Sequence, residues 1–192
     1  LIHKFGIDVA KPLILLVQHP VTTEADKAGE QMTETLEAVV ELGYPVILLY
    51  PNADAGGRRI IKVIKDFEKR STQIKTFISL PRREYLSLLK IASVLVGNSS
   101  SGMIDSSSFG LPVVNIGSRQ EGRERGNNVI DVGHNREEII VAIRKALIDK
   151  EFLKVVKKSH NPYGDGKASP RIAEILSNIK DTPRLLQKKI TC

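Results

Sequence analysis

The sequence alternates short apolar runs with longer amphipathic stretches, and this alternation restricts the fold more than any other feature. The apolar runs predict strands at residues 13–17, 46–49, 74–78, 94–96, 113–115 and 128–132. The stretches between and after them have apolar residues at three- and four-residue spacing and predict helices at residues 25–42, 56–69, 82–91, 101–109, 136–149 and 151–158. Such alternation forms βαβ units. We therefore predict an α/β fold, a Rossmann-like parallel sheet with helices on both faces.

Composition is consistent with a packed aliphatic core and narrows the class of protein. Of the 192 residues, 41% are hydrophobic but only 5% are aromatic, as is usual for buried parallel sheets. No apolar run reaches the roughly 20 residues of a membrane span. The single Cys192 disfavours a disulfide framework or a thiolate metal site. We expect a cytoplasmic protein without membrane contact and, because the sequence begins at Leu1 without a Met, part of a longer chain.

The formal net charge of +7 does not indicate a nucleic-acid partner. The basic residues lie mainly in helix-like runs around residues 62–70 and 154–158 and in the last nine residues. Exposed aromatic residues are not interleaved with them, and no nucleic-acid-binding module is recognisable. Solvated helix faces and a basic tail account for most of this charge.

The segment 96–124 contains the strongest functional signal. Asn98, Ser99 and Ser100 follow an apolar run and precede a predicted helix, where backbone N–H groups and hydroxyls form an anion site. A serine-rich helix cap is the structural alternative. Asp105 lies one helical turn further on, where a carboxylate can accept hydrogen bonds from ribose hydroxyls. The nucleophile motif G-x-S-x-G is absent, which disfavours a catalytic triad.

Two further loops supply polar side chains at predicted strand ends, where ligands of open α/β sheets bind. His19 follows the first strand and is a candidate hydrogen-bond donor or acid–base group, with a purely structural loop histidine as the alternative. Arg119 follows the fifth strand with Arg123 and Arg125, and arginine suits bidentate binding of phosphate. Solvated charge is the alternative for the last two arginines.

The loop after the second strand reads PNADAGGR and does not predict a dinucleotide site. The pair Gly56-Gly57 is not the G-x-G-x-x-G fingerprint, so NAD is not expected. Asp54 stands where it can cap the following helix, and Asn52 is the more plausible ligand contact.

Taken together, QHPVTTE, PNADAG, GNSSSGMID, FGLPVVNIGSRQ and NPYGDGKASPRI resemble the hydrolysing UDP-N-acetylglucosamine 2-epimerases in order and spacing, over residues 11–179. The resemblance implies the GT-B arrangement of two Rossmann-like domains, of which this chain is similar to the second. On that basis we expect residues 1–10 to be an interdomain linker, residues 11–179 the UDP-binding domain and residues 180–192 a basic tail.

The resemblance also implies roles for individual residues. Ser99, Ser100 and Arg119 would bind the diphosphate, and Asp105 would bind ribose at a position where the family has the longer Glu. His19 matches the family's active-site histidine. The remaining expected nucleotide contacts are Asn52, Ser79, Leu80, Tyr85 and Asn98, with Ser79, Leu80 and Tyr85 beside the uracil. No metal or redox cofactor is implied.

The implied reaction converts UDP-N-acetylglucosamine and water to N-acetylmannosamine and UDP for sialic-acid-type sugars. UDP is eliminated to leave a 2-acetamidoglucal, and water then adds. The family's other acidic groups lie in the N-terminal domain, so we expect the isolated chain to bind UDP or a UDP-N-acetylhexosamine without turnover, and the full-length protein to be a homo-oligomer. A GT-B glycosyltransferase, an epimerase of a bacillosamine-type UDP sugar and a non-catalytic UDP-sugar-binding module are the alternatives.

Overall fold

A single six-stranded parallel sheet forms the centre of the computed structural model, which describes residues 5–6 and 10–180. The strands are β1 (Ile14–Val17), β2 (Val46–Leu49), β3 (Ile74–Phe77), β4 (Val94–Gly97), β5 (Val113–Ile116) and β6 (Val129–Val132). Their order is β3-β2-β1-β4-β5-β6, and every neighbouring pair is parallel. This is the Rossmann order, and all six predicted strands are present within one residue of their expected bounds.

Helices cover both faces of the sheet, as predicted. They are α1 (Ala28–Glu41), α2 (Gly57–Glu68), α3 (Arg82–Ile91), α4 (Ser101–Ile104), α5 (Arg136–Ile148), α6 (Lys150–Lys157) and α7 (Ala168–Asn178). Successive residues of β1 belong to different cores because side chains alternate along a strand. Ile14 and Leu16 share a core with α1, α2 and α5, whereas Leu15 and Val17 pack with α3 and β5.

Two predicted helices differ from the structure. The helix expected at 25–42 begins at Ala28, because residues 22–24 form a 3₁₀ turn in which the Glu24 N–H donates to the Val21 carbonyl. The helix expected at 101–109 ends at Ile104, and a 3₁₀ segment follows at Ser106–Phe109. The Ser106 hydroxyl donates to the Gly102 carbonyl, the kind of side-chain bond that competes with regular helix.

Two compact units divide the chain, residues 1–162 and residues 163–192. In the second unit α7 exposes Ile172, Ile175 and Leu176, and Arg171 forms an ion pair with Asp165. The expected linker lies largely outside the described residues, and the expected basic tail lies outside them from residue 181 onward. Among the described helices, none combines the length and the apolar character that a bilayer crossing requires.

The strand order reverses between β1 and β4, and Gly97 allows their ends to approach each other. Its φ is +119°, and a Cβ built there would lie 2.2 Å from the Val17 carbonyl oxygen. A side chain is therefore excluded at this position both by conformation and by space. In open α/β sheets the crevice at this topological switch point is where ligands bind.

Candidate functional site

A cleft of about 460 Å³ lies at the carboxyl ends of β1 to β4. Its size is in the range of small-molecule sites. Seven of the ten residues predicted from the sequence line it together: His19, Ser79, Leu80, Tyr85, Ser99, Ser100 and Asp105. These residues are up to 86 positions apart in the sequence, so the parallel topology is what gathers them. The other three, Asn52, Asn98 and Arg119, contact the loops that form the cleft.

Asn98 joins the loops after β1, β4 and β5. Its Oδ1 accepts from the His19 N–H at 2.7 Å, and its Nδ2 donates to the His19 carbonyl at 2.9 Å. The Asn98 carbonyl accepts from Arg119 Nη1 at 3.2 Å and from Gln120 Nε2 at 2.8 Å. Asn98 is 1% exposed and its side chain is engaged by the protein itself. The Asn98 amide thus holds the backbone of His19, and its expected contact with a nucleotide stays a prediction.

His19 is held as a neutral imidazole with a defined tautomer. Its Nδ1 accepts a hydrogen bond from the Asn52 N–H at 3.1 Å, which leaves the proton on Nε2. Burial and, secondarily, the charge of Arg119 lower the pKa of His19 to about 4, against an opposing effect of Asp54. At neutral pH the side chain can therefore donate one hydrogen bond from Nε2 and carries no charge. Of the roles considered from the sequence, this favours the hydrogen-bond donor.

The loop after β2 supports His19 with its backbone. The Asn52 side chain donates to the Asp54 carboxylate, which is exposed. The expected helix cap by Asp54 is wrong, because Gly56, with φ of 94°, occupies the cap position and no side chain bonds there. Asp54 instead places a negative charge near His19 and Arg119.

The three arginines after β5 have different surroundings. Arg119 reaches the Asn98 carbonyl, and burial lowers its pKa from the usual value. It forms no ion pair within the described residues. Arg125 forms an ion pair with Asp131 and donates to the Gln120 carbonyl at 2.8 Å, so it stabilises the loop after β5. Arg123 is exposed. Of these three arginines, Arg119 is thus the one best placed to bind an anion.

The serines after β4 present donors to the cleft. In the described part of the chain, the backbone N–H groups of Ser99 and Ser100 donate no hydrogen bond. Ser99 Oγ accepts from the Ser101 N–H at 3.3 Å, and Tyr85 Oη donates to Ser101 Oγ at 2.8 Å. Burial raises the pKa of Tyr85. Helix α4 has only four residues, so its individual N–H groups and hydroxyls, rather than a helix dipole, would bind an anion.

The structure adds residues that we did not single out from the sequence. Arg82 lines the cleft and forms an ion pair with Asp105 at 3.2 Å. Ile78, which is 80% exposed, and Ile104 add apolar surface beside Leu80. Arg82 occupies the first position of α3 and follows directly on the loop after β3. Its place just after the carboxyl end of a predicted strand is the sequence signal that could have identified Arg82 as a cleft residue.

No three acidic, histidine or cysteine side chains within the described ranges are placed to share a metal ion. The donors around the cleft are hydroxyls, amides and guanidinium groups, which suit an anionic organic ligand.

A Rossmann-like sheet with a polar cleft at its switch point is typical of nucleotide-binding α/β domains. The sequence model of the family described as UDP-N-acetylglucosamine 2-epimerase matches residues 3–177. The chain therefore belongs to this family, and the resemblance inferred from its motifs is confirmed.

Curated relatives agree with this assignment. The UDP-N,N'-diacetylbacillosamine 2-epimerase (hydrolyzing) of Legionella pneumophila is 37% identical over 96% of this chain and 48% of its own length. The polysialic acid biosynthesis protein P7 of Escherichia coli is 35% identical over 83% of this chain and 41% of its own length. The chain thus spans about half the length of the curated relatives it matches.

Solved structures agree with the fold. The UDP complex of MnaA from S. aureus superposes with a TM-score of 0.70 at 22% identity, over 95% of this chain and 49% of that one. The UDP-GlcNAc 2-epimerase of Neisseria meningitidis bound to UDP-GlcNAc gives 0.73 at 19% identity, over 91% and 47%. At these identities the likeness establishes the fold alone. The chain has the fold of one domain of a GT-B epimerase, as predicted.

Proposed function

We propose that the chain is the C-terminal, UDP-binding domain of a hydrolysing UDP-N-acetylglucosamine 2-epimerase. The observation that carries this proposal is the convergence of His19, Ser99, Ser100 and Asp105 on one cleft at the switch point, with Arg119 beside it. The family match and the relatives named as hydrolysing 2-epimerases support the same activity. The full reaction converts UDP-N-acetylglucosamine and water to N-acetylmannosamine and UDP.

In this proposal the loop after β4 and Arg119 bind the diphosphate. The N–H groups of Ser99 and Ser100 and their hydroxyls supply neutral donors, and Arg119 supplies the positive charge. Charge-assisted hydrogen bonds of this kind are roughly twice as strong as neutral ones. They favour the departing UDP because its terminal phosphate gains negative charge as the glycosidic bond breaks.

His19 would act on the leaving group as a neutral donor. When the bond between the anomeric carbon and the phosphate oxygen breaks, the electron pair moves to that oxygen, and a hydrogen bond from Nε2 stabilises it. The proton lost from the sugar C2 needs a base, and Nδ1 is already occupied by the Asn52 N–H. His19 is therefore not that base, and we assign the base to the other half of the protein, as the family resemblance implies. This chain alone should then bind UDP without turning over substrate.

A second sugar is also supported by a specific observation. The Legionella relative, at 37% identity, is named a UDP-N,N'-diacetylbacillosamine 2-epimerase (hydrolyzing). A Campylobacter jejuni relative, at 37% over 63% of the chain, is named a GDP/UDP-N,N'-diacetylbacillosamine 2-epimerase (hydrolyzing). The two substrates differ at the sugar, whereas the nucleotide contacts proposed for this chain are common to both. The nucleotide contacts proposed here therefore do not distinguish between the two sugars.

The test uses a protein that carries this chain together with the remaining half of the family's length. We expect it to release UDP from UDP-N-acetylglucosamine or its diacetylbacillosamine counterpart, and NMR of the product to show a free manno-configured sugar. His19→Asn should lower turnover strongly, whereas His134→Asn, outside the cleft, should not. Tight UDP binding without any turnover would favour the binding-module alternative, and transfer of the sugar to an acceptor would favour a glycosyltransferase.

A further inference from the structure

The Tyr85 hydroxyl is hydrogen-bonded to the start of α4, and the expected contact of Tyr85 with uracil does not explain this bond. Tyr85 Oη donates to Ser101 Oγ at 2.8 Å, and the Ser101 N–H donates to Ser99 Oγ at 3.3 Å. Tyr85 lies in α3, whereas Ser101 is the first residue of α4, so the bond connects two helices. Hydrogen bonds through Ser101 thus link Tyr85 to Ser99, one of the serines that we assign to the diphosphate.

The serine loop, residues 98–101, has a glycine at each end and little support of its own. Gly97 precedes it with a φ of +119°, and Gly102 follows it. Glycine loses more conformational freedom than any other residue when it is ordered. Helix α4 has only four residues, and no side-chain hydrogen bond caps its start. The buried Asn98 holds the beginning of the loop, and the bond from Tyr85 holds its end.

The Tyr85 hydroxyl is a protonated donor at neutral pH. Burial raises the pKa of Tyr85 above its usual value, and hydrogen bonding to the Ser101 and Ser99 side chains opposes this effect without cancelling it. Ser101 is only 8% exposed, so water would replace the bond poorly if it were lost. Removal of the hydroxyl should therefore loosen the end of the serine loop.

We propose that Tyr85 is a positioning residue for the diphosphate: its hydroxyl, acting through Ser101, holds the serine loop in the conformation that presents its donors to the phosphates. A loop that is ordered before the ligand arrives loses less freedom on binding, so the anion binds more tightly. The inference rests on the proposed function, because it takes a nucleoside diphosphate as the ligand. It adds a residue of α3 that supports the phosphate half of the site through another side chain.

Two partial ligands separate this role from the expected uracil contact. Inorganic pyrophosphate has no base or ribose, and uridine has no phosphate, so each probes one half of the cleft. In NMR titrations of the ¹⁵N-labelled 192-residue chain, Tyr85→Phe should weaken the binding of UDP and of pyrophosphate by about threefold to tenfold, because one ordering hydrogen bond is lost. Uridine binding should keep its wild-type value, because the aromatic ring remains.

Ser101→Ala removes the same bond from its other side. It should likewise weaken UDP and pyrophosphate binding and spare uridine. The double variant with Tyr85→Phe should lose little more than Ser101→Ala alone, because the two substitutions break one interaction. Fully additive losses would show that Tyr85 does not act through Ser101 and would overturn the inference. Were Tyr85→Phe not to fold in urea denaturation, Ser101→Ala would carry the test with the two partial ligands.

Tyr44→Phe is the matched control. Tyr44 precedes β2 at the opposite end of the sheet, packs against the core under α1 and lies outside the cleft. It should leave all three affinities unchanged. Unchanged pyrophosphate binding in Tyr85→Phe, a loss confined to uridine, or an equal loss for all three ligands overturns the inference alone. A wild-type chain that binds neither UDP nor pyrophosphate overturns the proposed function as well.

Discussion

The side chain of Asn98 satisfies both backbone polar groups of His19, with Oδ1 accepting from the N–H at 2.7 Å and Nδ2 donating to the carbonyl at 2.9 Å. A side-chain amide carries both a donor and an acceptor, so this one residue can bond to both groups. The Asn98 carbonyl in turn accepts from Arg119 at 3.2 Å. The imidazole and the guanidinium of the candidate site are therefore positioned through one buried residue.

Asn98→Ala should weaken UDP binding although Asn98 does not line the cleft. The substitution leaves the N–H and carbonyl of His19 without partners, which costs about 1–3 kcal/mol for each group that stays buried. The loop that holds His19 should loosen, and Arg119 with it. Calorimetry with UDP measures the change in affinity, and urea denaturation measures the change in stability.

Asn115→Ala separates this effect from a general loss of stability. Asn115 is 2% exposed, lies in β5 and donates to Asp131 at 2.8 Å, outside the cleft. It should lower stability by a comparable amount while preserving UDP affinity. If both variants lost affinity equally, Asn98 would have no specific part in positioning the site.

The protonation of His19 should make the fold less stable in mild acid. Its pKa is lowered from 6.5 to about 4 in the folded chain, so between these values the unfolded chain binds the proton and the folded chain does not. The contribution of neutral His19 to the free energy of unfolding is fully present above pH 6.5 and declines as the pH falls toward 4. His134, whose pKa burial also lowers, acts in the same direction.

Histidine side-chain NMR on the 192-residue chain measures this directly. The His19 resonances should titrate near pH 4, and at pH 7 Nδ1 should show the shift of an unprotonated, hydrogen-bonded nitrogen. His19→Asn should flatten the decline of the unfolding free energy between about pH 6.5 and 4.5. A His19 pKa close to 6.5 would contradict the burial and the tautomer described above.

Gly97→Ala should be severely destabilising. A Cβ at this position would meet the Val17 carbonyl oxygen at 2.2 Å, and the φ of +119° disfavours any side chain. Backbone strain together with a steric clash places the cost at the upper end of single substitutions, about 4 kcal/mol or more. Chemical denaturation gives the number, and failure to fold would agree with it.

Gly110→Ala is the matched control for Gly97. Its φ of +59° is also positive, but a Cβ added there would have nothing within 4 Å. Only the conformational cost remains, about 1–2 kcal/mol. Equal effects of the two substitutions would mean that the close approach of β1 and β4 does not matter for stability.

Ser99→Ala combined with Ser100→Ala should weaken UDP binding by about 1–3 kcal/mol, because the hydroxyls no longer bond to phosphate. The backbone N–H groups remain, so binding should not be abolished. Ser108→Ala is the control, since Ser108 is exposed, accepts from Asn161 at 2.8 Å and lies outside the cleft. Unchanged affinity in the double variant, measured by calorimetry, would reject these hydroxyls as phosphate ligands.

The sheet and most helices were predictable because hydrophobic periodicity is a local property. The strand at residues 46–49 and the helix at residues 82–91 match their predicted bounds. The helix expected at residues 101–109 failed because serine hydroxyls compete for backbone carbonyls, as Ser106 does with Gly102. Periodicity does not detect such a break.

The candidate site was predictable as a set of loops but not as a set of bonds. Parallel topology requires that residues at strand ends meet, and this brought His19 to Ser99 and Ser100. The partners of individual side chains depend on distances that a sequence does not contain. The sequence therefore did not reveal that the Asn98 amide is hydrogen-bonded to the backbone of His19, or that Asp105 forms an ion pair with Arg82.

The central claim is that the cleft at the switch point binds UDP within this chain. Amide chemical-shift mapping of the ¹⁵N-labelled 192-residue chain during UDP titration tests it most directly. We predict saturable shifts concentrated at residues 97–101 and 79–85 and at His19. No saturable shifts, or shifts concentrated instead around Glu30, Glu34 and His134, would contradict the account.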